Sequence, residues 1–266
     1  MKNWSEFLPP LQIAHRERLL LLPLIPKRLR TQALLLLAVM YEMERAPIVA
    51  SEPMLVAIRL AWWREAIAEV AAGGKVRQHP LVEALAELQA HQPDMAPLLI
   101  AFLNGIAHEA ETTNWPVLDA WRTHIRSRAR AADALWSMVV GHCPSEEQSY
   151  AFACVLLARN LPRMGKGGCL TLPRDFLTQA KLAYTPNALA QPSLGLCMVT
   201  HALVDEANAA LTVASQASCV VWKGQATLTR ALAAQLARAE YNPYASALKH
   251  APISAVAHLL TISLVG

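Results

Sequence analysis

The sequence predicts an all-α protein, both from its composition and from the spacing of its apolar residues. The chain has 266 residues, of which 54% are hydrophobic, and it contains only 10 glycines. Alanine and leucine dominate, which favours packed helices over sheets, and a chain of this length can bury a sizeable core. Leu29, Ala33, Leu36, Leu37 and Met40 recur at helical spacing and form one apolar stripe.

Helix start and stop signals divide the chain into segments. Pro26 opens a helix over about residues 26–45, and Ser51-Glu52-Pro53 opens the next helix, which Gly73-Gly74 ends. Further helices are predicted over residues 80–92, 95–111, 117–140, 146–160 and 194–222, followed by two or three shorter ones. The proline- and glycine-rich interval 162–173 is predicted to be a loop. Because no repeat, linker or shift of composition divides the chain, we predict a single domain over residues 1–266.

The bulk properties exclude several classes of protein. The apolar stretch at residues 19–25 is interrupted by Pro23, and residues 33–40 fall far short of the ~20 residues that a membrane span needs. The first residues lack the apolar core of a signal peptide. Five cysteines without a Cys-x-x-Cys pair predict reduced thiols, not a disulfide framework or a zinc site. A net charge of +4 is too small for a nucleic-acid-binding surface. We predict a cytoplasmic protein, either free or peripheral at the inner membrane.

Residues 159–173 carry the most informative motif. They read Arg-Asn-Leu-Pro-Arg-Met-Gly-Lys-Gly-Gly-Cys-Leu-Thr-Leu-Pro. The stretch resembles the second signature of the squalene/phytoene synthases, in which Asn-x-x-Arg-Asp-x-x-x-Asp is followed by a basic turn and Gly-Arg-x-Tyr-Leu-Pro. The frame survives here, but Asn160 and Met164 stand at the two aspartate positions. The frame residues that remain are Arg159, Gly168, Leu170, Leu172 and Pro173.

Residues 39–48 match the first signature of the same family, approximately Tyr-x-Phe-Cys-Arg-x-x-Asp-Asp-x-x-Asp. Glu44, Arg45 and Ile48 stand at its three aspartates, so one acid remains and a base replaces another. Pro47 is expected to interrupt the helix at this point. In the family the two signatures hold the Mg²⁺ that grips the substrate diphosphates, and magnesium requires several hard oxygen ligands.

A third stretch narrows the resemblance. Residues 51–66 contain Ser-Glu-Pro-Met and then Ile-Arg-Leu-Ala-Trp-Trp-Arg-Glu-Ala. This is similar to a divergent branch of the family, which includes alphaproteobacterial squalene/phytoene-synthase-like proteins and the mitochondrial complex I assembly factor of this fold. Members of that branch commonly lack the full set of aspartates.

The resemblance implies an isoprenoid-synthase-type helical bundle with a central cavity. Our leading hypothesis is a non-catalytic member that binds a prenyl diphosphate or another lipid, or that assists respiratory complex I assembly through protein partners, without a cofactor. The alternative is an active transferase that condenses two prenyl diphosphates head-to-head, with Glu44, Glu109 or Glu111 forming an unusual Mg²⁺ site. The candidate ligand-binding residues are Tyr41, Glu44, Arg59, Trp63, Arg64, Glu109, Glu111, Arg159, Asn160 and Lys166.

Several of these features also have a purely structural interpretation. Arg59 and Arg64 either face a diphosphate cavity or form the solvated face of an amphipathic helix. Trp62 and Trp63 are adjacent on a helix, so only one of them is expected in the core. The glycines at 165–168 either form a phosphate-binding nest with Lys166 or belong to a plain loop.

Two further sets of polar residues remain open to more than one interpretation. Arg122, Arg126 and Arg130 recur every four residues and form either a solvated face or a contact with an anionic membrane or a partner. His201 and Asp205 have the i, i+4 spacing of a metal clip, although a structural histidine is the favoured interpretation.

Overall fold

The computed structural model describes residues 5–50, 52–74, 76–112, 115–215 and 219–265. Within these ranges the chain forms 13 α-helices joined by turns and short 3₁₀ segments. Between helices, Trp115 and Pro173 form an isolated β-bridge. Backbone contacts divide the chain into two compact units: unit 1 contains residues 1–111 and 131–143, and unit 2 contains residues 112–130 and 144–266.

Unit 1 is organised around helix α3. Its helices are α1 (Leu8–Ala14), α2 (Arg16–Leu19), α3 (Arg30–Glu44), α4 (Ala46–Val49), α5 (Pro53–Ala71), α6 (Pro80–Gln89), α7 (Met95–Glu111) and the second part of α8 (Leu118–Val140). Residues 35–40 of α3 are all buried, because α1, α6 and α7 pack around the helix. Residues 27–29 form a 3₁₀ turn, so the predicted helix start at Pro26 was one turn too early.

Helix α5 has the boundaries that its proline and glycines predict. Pro53 lies in its first turn, preceded by Glu52 in extended backbone. Ser51, which was predicted to cap this helix, lies outside the described residues. The helix ends at Ala71, and Gly73 takes a left-handed φ of 66° that glycine accepts without steric cost.

Arg77 holds the chain beyond α5 against that helix. Its Nε lies 2.7 Å from Glu69 Oε2, and its Nη2 lies 2.8 Å from Glu65 Oε2. The guanidinium also lies over the Trp62 ring, 5.3 Å from the centroid. Trp63 is buried while Trp62 is half-buried, which confirms that only one of the two adjacent rings enters the core.

Unit 2 is built on the packing of α9 against α11. Its helices are the first part of α8, then α9 (Glu146–Lys166), α10 (Arg174–Gln179), α11 (Leu194–Val213), α12 (Val220–Arg238) and α13 (Ile253–Val265). Its core includes Tyr150, Cys154, Leu161, Leu196, Leu203 and Leu232. Ser145 caps α9 by accepting a hydrogen bond from the backbone N–H of Gln148.

Helix α9 extends to Lys166, although the sequence predicted an end near residue 160 and a loop from residue 162. Pro162 lies inside the helix and removes one backbone hydrogen bond there. Beyond Pro162, Gly165 is buried against the 3₁₀ turn Pro186–Leu189 and the residue after it, an approach too close for a larger side chain. A Cβ on Gly165 would lie 2.6 Å from the backbone N of Ala190 and 2.6 Å from the carbonyl carbon of Leu189.

The helix predicted over residues 194–222 is instead two helices, α11 and α12. Ala214 leaves helical geometry for extended backbone. The carbonyl of Ser215 then accepts a hydrogen bond of 2.9 Å from the Gln148 side chain. This bond satisfies a backbone carbonyl that lies outside any helix. The spacing of apolar residues in the sequence cannot predict it, because Gln148 is distant in sequence from Ser215.

The predicted all-α class is confirmed, whereas the central cavity and the single domain stay predictions. Within the described ranges, none of the helices combines the length and the apolarity needed to cross a bilayer. All five cysteines are free thiols, and of these Cys154 is fully buried.

Candidate functional site

The first signature lies at the end of α3 in unit 1, where Glu44 meets a histidine. Nε2 of His15 lies 3.0 Å from Oε2 of Glu44, and the His15 ring packs edge-on against Tyr41 at 6.1 Å between centroids. Arg45, at the next aspartate position, pairs with Glu42 at 2.8 Å. The predicted ligand-binding residues Tyr41 and Glu44 are thus both engaged by groups of the protein itself.

The same unit also contains a buried ion pair. Nη2 of Arg18 donates to Oδ1 of Asp133 at 2.7 Å, and the two side chains are 7% and 2% exposed. The Arg18 guanidinium also lies 5.2 Å from the centroid of the Trp136 ring. Burying two charges this deeply is strongly unfavourable unless they are paired and hydrogen-bonded, as these are.

The candidates on α5 and α7 have different surroundings. Arg59 and Arg64 are exposed, and Arg64 donates to the side chain of Asn104 on α7 at 2.8 Å. Trp63 belongs to the core, with its ring 5.7 Å from that of His79. On α7, Glu109 is half-buried and Glu111 is exposed.

The second signature occupies one face of α9 in unit 2. Asn160 and Met164 are half-buried there, as are Leu156 and Leu157 one turn earlier. Spacings of three, four and seven residues place these side chains on one face of the helix. Arg159 is also half-buried and interacts with other groups of the protein.

The glycines after Met164 do not form the phosphate-binding nest that was considered for them. The amides of Gly167, Gly168 and Cys169 donate to the carbonyls of Arg163, Gly165 and Met164, respectively. These bonds cap the end of α9, and Gly168 takes a φ of 74° to make them. The amides are therefore committed to the helix, and Lys166 is an exposed residue in its last turn.

The end of the second signature is fixed by hydrogen bonds and packing. Nε1 of Trp121 donates to the carbonyl of Thr171 at 2.7 Å, and the Tyr184 hydroxyl donates to the carbonyl of Leu172 at 3.3 Å. Leu172 itself is fully buried, and the backbone N–H of Arg174 donates to the carbonyl of Trp115. The surviving frame residues in this segment serve the fold of unit 2.

The predicted basic stripe on α8 is largely neutralised within unit 2. Arg122 pairs with Glu206, with 3.0 Å between Nε and Oε2. Arg126 pairs with Glu147 at 2.9 Å and lies 4.1 Å from the centroid of the Tyr150 ring. Arg130 lies more loosely, 3.8 Å from Glu146, and is 76% exposed. All three arginines thus face acids, and the stripe is an ion-paired seam.

The pKa of Glu206 makes this seam sensitive to acid. Burial alone would raise it, but the hydrogen bonds from Arg122 and Tyr150 and the charges of Arg122 and Arg126 outweigh burial and place it below its usual value of 4.5. A carboxylate with a depressed pKa stabilises the fold above the unfolded-state value, and its contribution is lost as the pH falls through the folded-state pKa.

We therefore expect Glu206→Gln to destabilise the protein by roughly 2 kcal/mol near neutral pH. Urea unfolding at a series of pH values measures the difference between wild type and variant. The difference should shrink below about pH 4.5, and one that is independent of pH would contradict the assignment.

The donor sets of the two signatures do not fit magnesium. Within the part of the chain that the structure describes, no three His, Cys, Asp or Glu side chains form a group that could hold a metal ion. Glu44 is paired with His15, Asn160 offers one amide oxygen, and the thioether of Met164 is a soft donor.

Several buried polar residues of unit 1 were not predicted from the sequence. The run His15-Arg16-Glu17-Arg18 has the composition of a solvated turn, yet His15, Glu17 and Arg18 are buried. Neither His15 nor Asp133 was singled out, because their partners are distant in sequence. His201 stacks on Tyr241 at 4.1 Å between centroids, and its Nε2 lies 3.5 Å from Oδ2 of Asp205, with the two side chains 50% and 64% exposed.

Comparisons with known proteins place these observations in a family context. The model of the family described as squalene/phytoene synthase matches residues 12–256. No curated protein matches the sequence. A crystal structure of a dehydrosqualene synthase in complex with ligand is similar with a TM-score of 0.65 and 14% identity, over 98% of this chain and 95% of that chain. The squalene synthase HpnC from Alicyclobacillus acidocaldarius is similar with a TM-score of 0.58 and 16% identity, over 90% of this chain and 97% of that chain. At these identities the similarity concerns the fold.

Proposed function

Because the chain belongs to the squalene/phytoene synthase family, we propose that it is a non-catalytic member that uses the family scaffold to bind a prenyl or other lipid chain. The observation that carries the proposal is the chemistry of the two signatures. Glu44 is paired with His15, and the second signature has an amide and a thioether where the family has two carboxylates. Ionising an allylic diphosphate requires strong stabilisation of the leaving group, and neither set of side chains supplies it through a metal.

An assay of diphosphate release tests the proposal. Purified protein is incubated with farnesyl or geranylgeranyl diphosphate in the presence and absence of Mg²⁺, beside an active squalene synthase as the reference. We expect no pyrophosphate release above the rate without protein. Release that depends on both Mg²⁺ and this chain would overturn the proposal and support head-to-head condensation.

We also propose a role in the assembly of respiratory complex I at the inner membrane surface. The support is the resemblance of residues 51–66 to the branch that contains the mitochondrial assembly factor. Deletion of the gene in its source organism should lower complex I activity while carotenoids and hopanoids keep their normal levels. Unchanged complex I activity would contradict this role.

A further inference from the structure

The outward side of helix α5 exposes large apolar side chains to solvent. Met54, Leu55 and Ile58 are 69%, 44% and 56% exposed. The other side of the same helix is buried in unit 1, so the first turns of α5 are apolar both inwards and outwards. A helix that is apolar all round is normally covered on every side, and grouped exposed apolar side chains mark an interaction surface. We call Met54, Leu55 and Ile58 the α5 outward face.

Two arginines border the α5 outward face, one on each side. At about 3.6 residues per turn, Arg59 follows Leu55 along one edge of the face, and Arg64 follows Ala57 along the other. Both arginines are exposed. Among the described residues no acid pairs with Arg59, and Arg64 donates to the neutral amide of Asn104. Both positive charges are therefore available to a partner outside the chain.

The acids of α5 do not cancel these two charges. Glu65 and Glu69 lie farther along the helix, and Arg77 pairs with them at 2.8 Å and 2.7 Å. Glu52 is exposed at the N-terminal end of the helix, so one acid stands against two arginines that lack an acid partner. The surroundings of the α5 outward face are thus cationic, which complements an anionic surface.

From this arrangement we infer that the α5 outward face docks on an anionic lipid bilayer. The three apolar side chains enter the headgroup boundary, where their burial favours binding, while the two arginines stay at the level of the lipid phosphates. A fluid bilayer accepts the ridge of a single helix without a matching groove. A second copy of the chain fits the face less well, because a two-fold contact centred on Ile58 would bring Arg59 of both copies together.

Co-sedimentation of the full chain with lipid vesicles tests the inference. Vesicles of equal parts phosphatidylcholine and phosphatidylglycerol are compared with vesicles of phosphatidylcholine alone. We expect binding to the anionic vesicles that weakens as the salt concentration rises, and much weaker binding to the neutral ones. Absence of binding, or equal binding to both kinds of vesicle, would overturn the inference. Neither outcome would contradict the proposed lipid-chain binding or the assembly role, which are tested without vesicles.

Two variants on the face and two controls locate the contact. Ile58→Asp should weaken binding to anionic vesicles by roughly tenfold or more, because a carboxylate resists desolvation and is repelled by the lipid phosphates. Arg59→Ala should weaken it by about fivefold, because one cation is lost. Leu194→Asp and Arg130→Ala make the corresponding changes in unit 2, at side chains that are 80% and 76% exposed, and should leave binding unchanged. Equal losses in the face variants and the controls would overturn the inference.

Two further measurements keep the result specific to the face. All four substituted positions are exposed, so the midpoints of urea unfolding should stay close to that of wild type, which excludes loss of the fold as the cause of weaker binding. Sedimentation equilibrium without vesicles measures self-association. A wild-type dimer that Ile58→Asp dissociates would assign the α5 outward face to a second copy of the chain and overturn its assignment to the bilayer.

Discussion

Replacing Asp133 by alanine is expected to destabilise the protein by about 3–5 kcal/mol, because it removes the carboxylate to which the buried Arg18 guanidinium donates. The Arg18 side chain is only 7% exposed and donates to Asp133 at 2.7 Å. Its contact with the Trp136 ring replaces only a small part of that interaction. Urea or guanidinium unfolding measures the loss through the shift of the midpoint at an unchanged slope.

Two comparisons separate the buried charge from a general sensitivity of α8. Asp119 lies on the same helix and pairs with Arg122 at 2.9 Å, but its side chain is 84% exposed. Asp119→Ala should therefore change the free energy of unfolding by less than about 1 kcal/mol. Replacing both partners, as in Arg18→Met with Asp133→Leu, should recover most of the stability, because neither charge then remains. A double variant as unstable as Asp133→Ala alone would show that packing, and not desolvation, dominates.

This ion pair also marks the limit of what the sequence could predict. The all-α class follows from composition and spacing, and the ends of α5 follow from Pro53 and Gly73-Gly74. Arg18 and Asp133 are 115 residues apart, so their pairing depends on tertiary packing. The pairing of His15 with Glu44 could not be predicted for the same reason. The run His15-Arg16-Glu17-Arg18 has the composition of a solvated turn, so its burial gives no local signal.

The second signature shows which of its residues the fold requires. Gly168 takes a left-handed φ of 74° at the end of α9, and Leu172 is fully buried. These residues keep the frame recognisable, because substitution at either position would disturb unit 2. Asn160 and Met164 are only half-buried, so the fold tolerates loss of the acids there. The sequence therefore identified the family from residues that serve structure, and the lost residues are those that would serve metal chemistry.

Replacing Gly165 by alanine is also expected to destabilise the protein, by about 1–2 kcal/mol net. Alanine is the better helix former by about 1 kcal/mol, but its Cβ would lie 2.6 Å from two backbone atoms of Leu189 and Ala190. Backbone cannot yield as a flexible side chain can, so the strain of overpacking outweighs the gain in helix propensity. Gly74→Ala is the control, since its Cβ would approach only the Glu69 carbonyl, at 3.4 Å, and it should be neutral or slightly stabilising. Chemical unfolding of both variants decides the matter: an unchanged or raised midpoint for Gly165→Ala would mean that α9 does not need this close contact to extend past Pro162.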